Sequence, residues 1–128
     1  NMEASGLSDI RWIVDDALKF VRREVKRGKN YDGIILDPPA YGRGPDGEKW
    51  VLEQNLGELL SLCARLLRPS NSFMVLNLYS MGLSALLAKS AVSQLFPTPS
   101  LEEFGELYFL DRALKTLPLG VYYRCAYK

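Results

Sequence analysis

The segment of this chain with the clearest chemical potential is an apolar run that ends in one aspartate and two prolines. The sequence YDGIILDPPAYGRGPDG spans Tyr31 to Gly47 and places Asp37, Pro38 and Pro39 directly after the apolar residues. Each proline lacks a backbone N–H and has φ fixed near about −65°, so the three residues form a stiff, extended bend. Their carbonyl oxygens have few local donors, and a ligand that carries N–H groups can meet them.

Such a set of acceptors suits a nitrogen that acts as a nucleophile. The Asp37 carboxylate and the Pro38 carbonyl could both accept from the exocyclic amine of a nucleobase. Both oxygens would stabilise the positive charge that grows on the nitrogen as it attacks an electrophilic methyl group. Two more aspartates, Asp15 and Asp16, end an earlier apolar segment. Aspartates at strand ends commonly cap the next helix, and this is the ordinary role expected of Asp15.

The composition describes one globular domain: 128 residues, 48% hydrophobic, with a net charge of +1. A charge this small gives no global attraction to nucleic acid or membranes, so any basic patch is local. The sequence has no histidine and two cysteines, which excludes imidazole catalysis and a disulfide framework and predicts no metal site. No segment has the layout of a membrane span or a signal peptide, so a cytoplasmic location is expected. The chain begins with Asn1, which suggests a processed or shortened polypeptide.

Strands and helices alternate along the predicted structure. Ile10–Val14 and Tyr31–Asp37 are typical of buried strands, the second because its apolar residues are continuous. Between them, Ala17–Lys29 has the apolar period of a helix, with basic residues on the opposite face. The later predicted elements are a helix from Trp50 to Leu67, a strand from Ser72 to Ser80, a helix from Ser84 to Phe96 with Ser84 as N-cap, and strands Gly105–Asp111 and Val121–Tyr127 joined through Leu117–Gly120.

Repeated strand–helix units predict an α/β fold with an open, mainly parallel sheet. Ligands of such sheets bind beyond the carboxyl ends of the strands. Asp15, Asp16 and Asp37 all lie at predicted ends of this kind. The sequence therefore predicts one candidate site at this edge of the sheet.

Over nearly its whole length the chain resembles the C-terminal portion of class I S-adenosylmethionine-dependent methyltransferases. In that family the turn after the fourth strand carries Asp/Asn-Pro-Pro-x, which Asp37, Pro38, Pro39 and Ala40 match. The resemblance implies that Asp37, Pro38 and Pro39 form the catalytic turn. Because neither Cys63 nor Cys125 is expected near Asp37, methyl transfer is expected to proceed directly, without a covalent enzyme intermediate.

The same resemblance implies a cofactor and a substrate class. An acidic residue after the third strand of the family accepts a hydrogen bond from the adenine amine of S-adenosylmethionine, and Asp16, followed by Ala17, matches that position. An Asp-Pro-Pro-x-aromatic sequence before a basic, glycine-containing loop is most similar to bacterial methyltransferases of large-subunit ribosomal RNA. Ribosomal RNA is the implied partner, with Tyr41 and Arg43 as the substrate-binding residues.

Two family features are missing from this sequence: the glycine-rich loop after the first strand and the acidic residue after the second. In the family's strand order, 3-2-1-4-5-7-6, the missing strands separate the strands that carry Asp16 and Asp37. The expected fold class is therefore α/β: a Rossmann-like, open, mainly parallel sheet with an antiparallel final strand, lacking the first two strands. Residues 1–128 would be a single partial domain that alone binds the cofactor weakly and is inactive. Its unpaired sheet edges could support a homo-oligomer.

Other interpretations stay open at this stage. A phospho-receiver domain has a similar acidic pair and strand-end aspartate, although the interval between Asp16 and Asp37 is too short for its elements. A non-catalytic α/β dimerisation or partner-binding domain would explain the missing cofactor loop. The target atom is expected to be an amine nitrogen, because methylation of a pyrimidine carbon usually needs a cysteine nucleophile and Cys63 and Cys125 lie in apolar patterns. A protein glutamine amide is a further candidate target, and Trp12 is expected to pack in the core or at an edge.

Overall fold

The computed structural model describes residues 3–79 and 82–128. The helices are a 3-10 turn, Glu3–Ser5, and three α-helices: α1 Ala17–Lys26, α2 Leu52–Leu66 and α3 Ala85–Ser93. The strands are β1 Gly33–Leu36, β2 Tyr41–Arg43, β3 Lys49–Val51, β4 Ser72–Leu78, β5 Leu101–Leu110 and β6 Thr116–Tyr127. The last residue of the predicted strand 72–80 lies outside the described residues, as do Asn1 and Met2.

The main sheet has four strands in the order β1-β4-β6-β5. β1 pairs with β4 in parallel, whereas β6 runs antiparallel to both β4 and β5. This is the order expected for strands 4-5-7-6 of the methyltransferase fold, including the antiparallel final strand. The antiparallel pair also contradicts the phospho-receiver interpretation, because doubly wound receiver sheets have a different strand order.

The predicted first strand, Ile10–Val14, is wrong for this chain. These residues form no regular structure, and Val14 is 95% exposed and Trp12 69% exposed. A strand is stable only when neighbouring strands meet its backbone hydrogen-bonding groups. Among the described residues no strand pairs with this segment, so its apolar side chains remain in solvent. The expectation that Trp12 packs in the core is wrong for the same reason.

All three α-helices cover one face of the main sheet. Side chains that point to this face are buried, with Met74, Leu76 and Tyr123 at most 1% exposed. They pack against the apolar faces of α1, α2 and α3, where Leu60 and Val92 are fully buried. The chain therefore has one continuous core on one side of the sheet.

The opposite face of the sheet is uncovered. Ile35 was expected to be buried with its neighbours, yet 67% of it is exposed, whereas Ile34 and Leu36 pack against the core. Period-two alternation places Ile35 on the face that carries Phe73 and Val75, and no helix of the described chain lies there. The continuous apolar run of β1 thus serves two faces, of which only one is buried here.

Two connections differ from the predicted ones. The turn between β5 and β6 lies at Asp111–Lys115, where the Asp111 carboxylate accepts hydrogen bonds from the N–H groups of Ala113 and Lys115, both at 2.8 Å. The predicted connection Leu117–Gly120 is instead part of β6. Trp50 belongs to the short hairpin β2–β3 and precedes the long helix.

The Ser84 N-cap is confirmed, since its hydroxyl accepts from the Leu87 N–H at 3.1 Å. Among residues 3–79 and 82–128, the structure contains no helix with the length and hydropathy that a bilayer crossing requires.

Candidate functional site

The carboxyl end of β1 and the start of α1 line one crevice of about 380 Å³. Its walls come from three segments: 15–17 before and at the start of α1, 35–39 at the end of β1, and the hairpin β2–β3 with Trp50. Leu59 of α2 lies at its base. The volume lies within the range of ligand pockets, which is roughly 300–1,000 Å³.

The structure brings six of the seven predicted site residues together in this crevice: Asp16, Ala17, Asp37, Pro38, Pro39 and Arg43. Tyr41 is the exception, because it is 81% exposed and does not line the crevice. Their roles in binding and catalysis stay predictions, and their shared location is an observation.

The Asp37-Pro38-Pro39 turn follows β1 without a break. Asp37 and Pro39 are exposed to the crevice and Pro38 is buried. Among the described residues, neither the Asp37 carboxylate nor the Pro38 carbonyl accepts a hydrogen bond. These two acceptors are thus available to a ligand, which is the arrangement that the two prolines predict.

The other carbonyls of the turn are occupied. The indole N–H of Trp50 donates to the Pro39 carbonyl at 2.7 Å. The backbone N–H of Leu52 donates to the Ala40 carbonyl at 2.9 Å. The start of α2 and the hairpin β2–β3 therefore hold the downstream half of the turn.

Asp16, rather than Asp15, caps α1. One carboxylate oxygen of Asp16, Oδ1, accepts from the Lys19 N–H at 2.8 Å, while Oδ2 has no partner among the described residues. Capping and acceptance of a ligand N–H are thus compatible in the same side chain. Asp15 instead pairs with Arg23, whose guanidinium holds the pKa of that carboxyl below its usual value.

The hairpin β2–β3 is tied to α1 by an ionic cluster. The Lys19 ammonium pairs with the carboxylates of Asp46, at 2.9 Å, and Glu48. These contacts raise the pKa of Lys19, chiefly through the hydrogen bond to Glu48. The cluster fixes the tip of the hairpin over the crevice.

The basic face of α1 is largely engaged in ion pairs within the chain. Arg22 contacts Glu58 at 2.5 Å, and Arg27 contacts Glu24 at 3.0 Å. Together with the pairs of Lys19 and Arg23, these contacts use four of the five basic side chains that the sequence places on this face. The face is therefore organised for contacts within the fold.

Both cysteines are buried, as predicted from their apolar surroundings. Burial raises the pKa of Cys63 to about 11, which keeps the thiol protonated near neutral pH. Neither cysteine lines the crevice. Among the described residues, no group of histidine, cysteine or acidic side chains could hold a metal ion.

Sequence reasoning missed the part that the hairpin plays in the crevice. Gly42, Gly44 and Trp50 line it, and Trp50 had been placed at the start of a helix. A signal was present in Pro45-Asp46-Gly47, which is typical of a tight turn between two strands. The Gly47 N–H donates to the Gly44 carbonyl at 3.0 Å, and Gly47 has φ of 88°, as a type I turn followed by a left-handed residue requires.

Comparison with solved structures gives a close match. The chain superposes on a SAM-dependent methyltransferase from Agrobacterium tumefaciens with a TM-score of 0.89 and 32% sequence identity, over 99% of this chain and 44% of that one. The chain thus spans less than half the length of that protein. No protein-family model matches the sequence, and no curated protein matches it either.

Two more distant structures share the fold. SMU.776, assigned as a methyltransferase and solved in complex with SAH, has a TM-score of 0.69 at 15% identity over 98% of this chain and 34% of its own. A protein from Streptococcus mutans, assigned as SAM-dependent, has the same TM-score at 14% identity over 96% of this chain and 33% of its own. The chain therefore has the fold of the C-terminal part of class I S-adenosylmethionine-dependent methyltransferases.

Proposed function

We propose that this chain belongs to an enzyme that transfers a methyl group from S-adenosylmethionine to an exocyclic amine nitrogen of a ribosomal RNA base. The observation that carries the proposal is the pair of unengaged acceptors, the Asp37 carboxylate and the Pro38 carbonyl, in one crevice with Asp16. The likeness to the Agrobacterium tumefaciens protein supports the reaction class. The choice of an RNA amine rests on the acceptors and on Arg43 beside them.

The residues of the crevice fit one part of the cofactor. The free Oδ2 of Asp16 can accept from the adenine amine, beside the exposed Ala17. The sequence holds no glycine-rich loop for the methionine part and no acid for the ribose. We therefore expect the chain alone to bind S-adenosylmethionine weakly and to be inactive.

When bound, S-adenosylmethionine supplies an electrophilic methyl group on a sulfonium sulfur. The Asp37 carboxylate and the Pro38 carbonyl accept from the two N–H groups of the target amine and orient its lone pair. Held in this way, the nitrogen would present its lone pair to the electrophilic methyl carbon. Asp37 would stabilise the positive charge that develops on nitrogen until the amine proton is released to water, to which this turn is exposed.

The proposal is tested with the product of the full reading frame that contains this chain, incubated with S-adenosylmethionine and unmodified large-subunit ribosomal RNA transcripts. We expect one methyl group per transcript, found by mass spectrometry of the nucleosides on an amine nitrogen of guanine or adenine. Ribosomal RNA purified from the source cells should accept none, because its site is already methylated. Transfer to a ring carbon or to ribose, or no transfer to any ribosomal RNA, would contradict the proposal.

Calorimetric titration tests the cofactor expectation separately. The 128-residue chain should give no binding heat with S-adenosylmethionine at micromolar concentrations, whereas the product of the full reading frame should bind. Micromolar binding by the 128 residues alone would contradict this expectation, because Asp16 and the crevice would then suffice to bind the cofactor.

One observation favours a second candidate, a partner-binding domain without catalysis. The uncovered sheet face carries exposed apolar side chains, Ile35 and Phe73 among them, and the outer edges of β1 and β5 have no partner strand in the described chain. Such edges can also support a homo-oligomer. The reading frame upstream of Asn1 discriminates the two candidates: a strand, a glycine-rich loop and an acid-terminated second strand there would support the enzyme.

A further inference from the structure

The turn that carries the proposed chemistry is held by a side chain outside the Asp-Pro-Pro sequence. Trp50 lies on β3 opposite Gly42 of β2, and its indole N–H donates to the Pro39 carbonyl at 2.7 Å. Gly42 is not required for this approach, since a Cβ there would lie 3.8 Å from the Pro39 ring, which is an ordinary van der Waals distance. Trp50 also packs against the edge of the core, so its ring is fixed on one side.

The hairpin that carries Trp50 is itself anchored at its tip. The Gly44 carbonyl accepts a hydrogen bond from the Gly47 N–H, and the Gly44 N–H donates to the Glu48 carbonyl at 2.8 Å. A Cβ on Gly44 would lie 2.3 Å from the Glu48 carboxylate, so glycine is needed for Glu48 to turn back over the loop. There Glu48 meets Lys19 of α1. The indole therefore has a defined position relative to both α1 and the turn.

We propose that Trp50 is a positioning residue, which selects the acceptors that the turn offers to the target amine. By occupying the Pro39 carbonyl, the indole leaves the Pro38 carbonyl and the Asp37 carboxylate as the acceptors of this turn that have no hydrogen-bond partner in the described part of the chain. It also restrains the rotation of the Pro38–Pro39 segment. The inference rests on the proposed function and concerns a residue that the Asp-Pro-Pro sequence does not include.

A spectroscopic measurement tests the contact without any substrate. In the 15N-labelled chain, the two indole N–H signals come from Trp50 and Trp12, and Trp12 is 69% exposed. We expect the Trp50 indole hydrogen to exchange with D₂O at least about 10-fold more slowly than that of Trp12, because it is hydrogen-bonded. Equal exchange rates would overturn the proposal.

A kinetic measurement tests the consequence in the product of the full reading frame. Trp50→Phe keeps a flat aromatic ring and removes the donor. We expect kcat for methyl transfer to fall about 10-fold, because small displacements of a reacting group are costly, while KM for S-adenosylmethionine stays within twofold. The matched control Trp12→Phe should leave kcat unchanged.

The outcomes separate the two proposals. If the unaltered enzyme methylates no RNA, the proposed function fails whatever the indole does. If it methylates RNA and Trp50→Phe keeps the same kcat, the function stands and the role of Trp50 is overturned. A third outcome would also overturn the role of Trp50: if Trp50→Phe raises KM for RNA and leaves kcat unchanged, the indole contributes to substrate binding and does not position the reacting groups.

Discussion

The two faces of the main sheet differ in one respect: helices cover one and nothing in the described chain covers the other. On the covered face, Leu76 is 0% exposed, and Leu36, its neighbour on β1, is partly buried against the core. On the open face, Ile35 is 67% and Phe73 44% exposed. The two faces have similar apolar character in β1, and only the covering layer distinguishes them.

This difference shows how the chain relates to the fold it matches. A parallel strand with a continuous apolar run is built to be buried on both faces. All three α-helices of the described chain lie on one face, and the chain spans 44% of the solved structure that it superposes on. The apolar residues of the open face therefore suit a covering layer that these 128 residues do not supply.

The largest expected contrast between the faces comes from truncating one apolar side chain on each. Leu76→Ala removes a fully buried side chain and should lower the free energy of unfolding by about 2–5 kcal/mol. Ile35→Ala should cost less than about 0.5 kcal/mol in this chain, because the side chain is already largely in solvent. Denaturant unfolding of the two variants measures both values.

The same pair can sharpen the comparison. In the product of the full reading frame, a covering layer would raise the cost of Ile35→Ala towards that of Leu76→Ala. If Ile35→Ala lowers the free energy of unfolding equally little in the 128-residue chain and in the product of the full reading frame, the open face stays in solvent in both.

A smaller effect is expected from the two aspartates before α1. Asp16→Ala removes the N-cap hydrogen bond to Lys19 and should lower the free energy of unfolding by about 1 kcal/mol. Asp15→Ala removes an exposed ion pair with Arg23, which contributes little to stability. Thermal unfolding of both variants should rank Asp16→Ala as the more destabilising, and the reverse order would contradict the assignment of the cap.

The smallest contrast concerns two glutamates, one on each side of the molecule. Glu24 of α1 is 7% exposed, and its carboxylate accepts from the Tyr31 hydroxyl at 2.5 Å, which lowers the pKa of Glu24 below its usual 4.5. The folded protein then takes up this proton at lower pH than the unfolded chain does. The resulting stability is present above about pH 4.5 and is lost as the pH falls through the folded-state pKa.

Glu24→Gln should therefore flatten the decline of stability in acid. Glu103 on the open face also has a lowered pKa, chiefly through the Tyr122 hydroxyl, but it is exposed. Solvent screens its contacts, so Glu103→Gln should leave the acid profile nearly unchanged. Urea unfolding at pH 3–7 compares the variants, and a larger change for Glu103→Gln would contradict the contrast.

Local sequence patterns predicted the elements whose stabilising contacts lie within this chain. The Ser84 cap and the apolar face of α2 need only neighbours that the sequence also supplies. The segment Ile10–Val14 has strand propensity, yet propensity cannot create a pairing partner, and the segment remains irregular. The resemblance to a family predicted the order of the sheet, which short-range patterns do not contain.

The candidate site also contains residues that the sequence predicted and contacts that it did not. Asp37, Pro38 and Pro39 were visible because a strand end followed by two prolines has a direct physical consequence. The contact between Trp50 and the Pro39 carbonyl was not, because it depends on how a hairpin folds back over the turn. Tyr41 was expected to bind the substrate from the resemblance to a family; it is exposed outside the crevice, and its role stays a prediction.

The central claim is that the Asp37-Pro38-Pro39 turn binds the nitrogen that is methylated. Its most direct test is the kcat of Asp37→Ala in the product of the full reading frame, with S-adenosylmethionine affinity measured in parallel. Asp32→Ala is the matched control, since Asp32 precedes the other end of β1 and pairs with Arg68 at 2.6 Å. We predict a loss of at least about 100-fold in kcat for Asp37→Ala, with unchanged cofactor affinity and an unaffected control. A kcat within twofold of the unaltered enzyme would contradict the account.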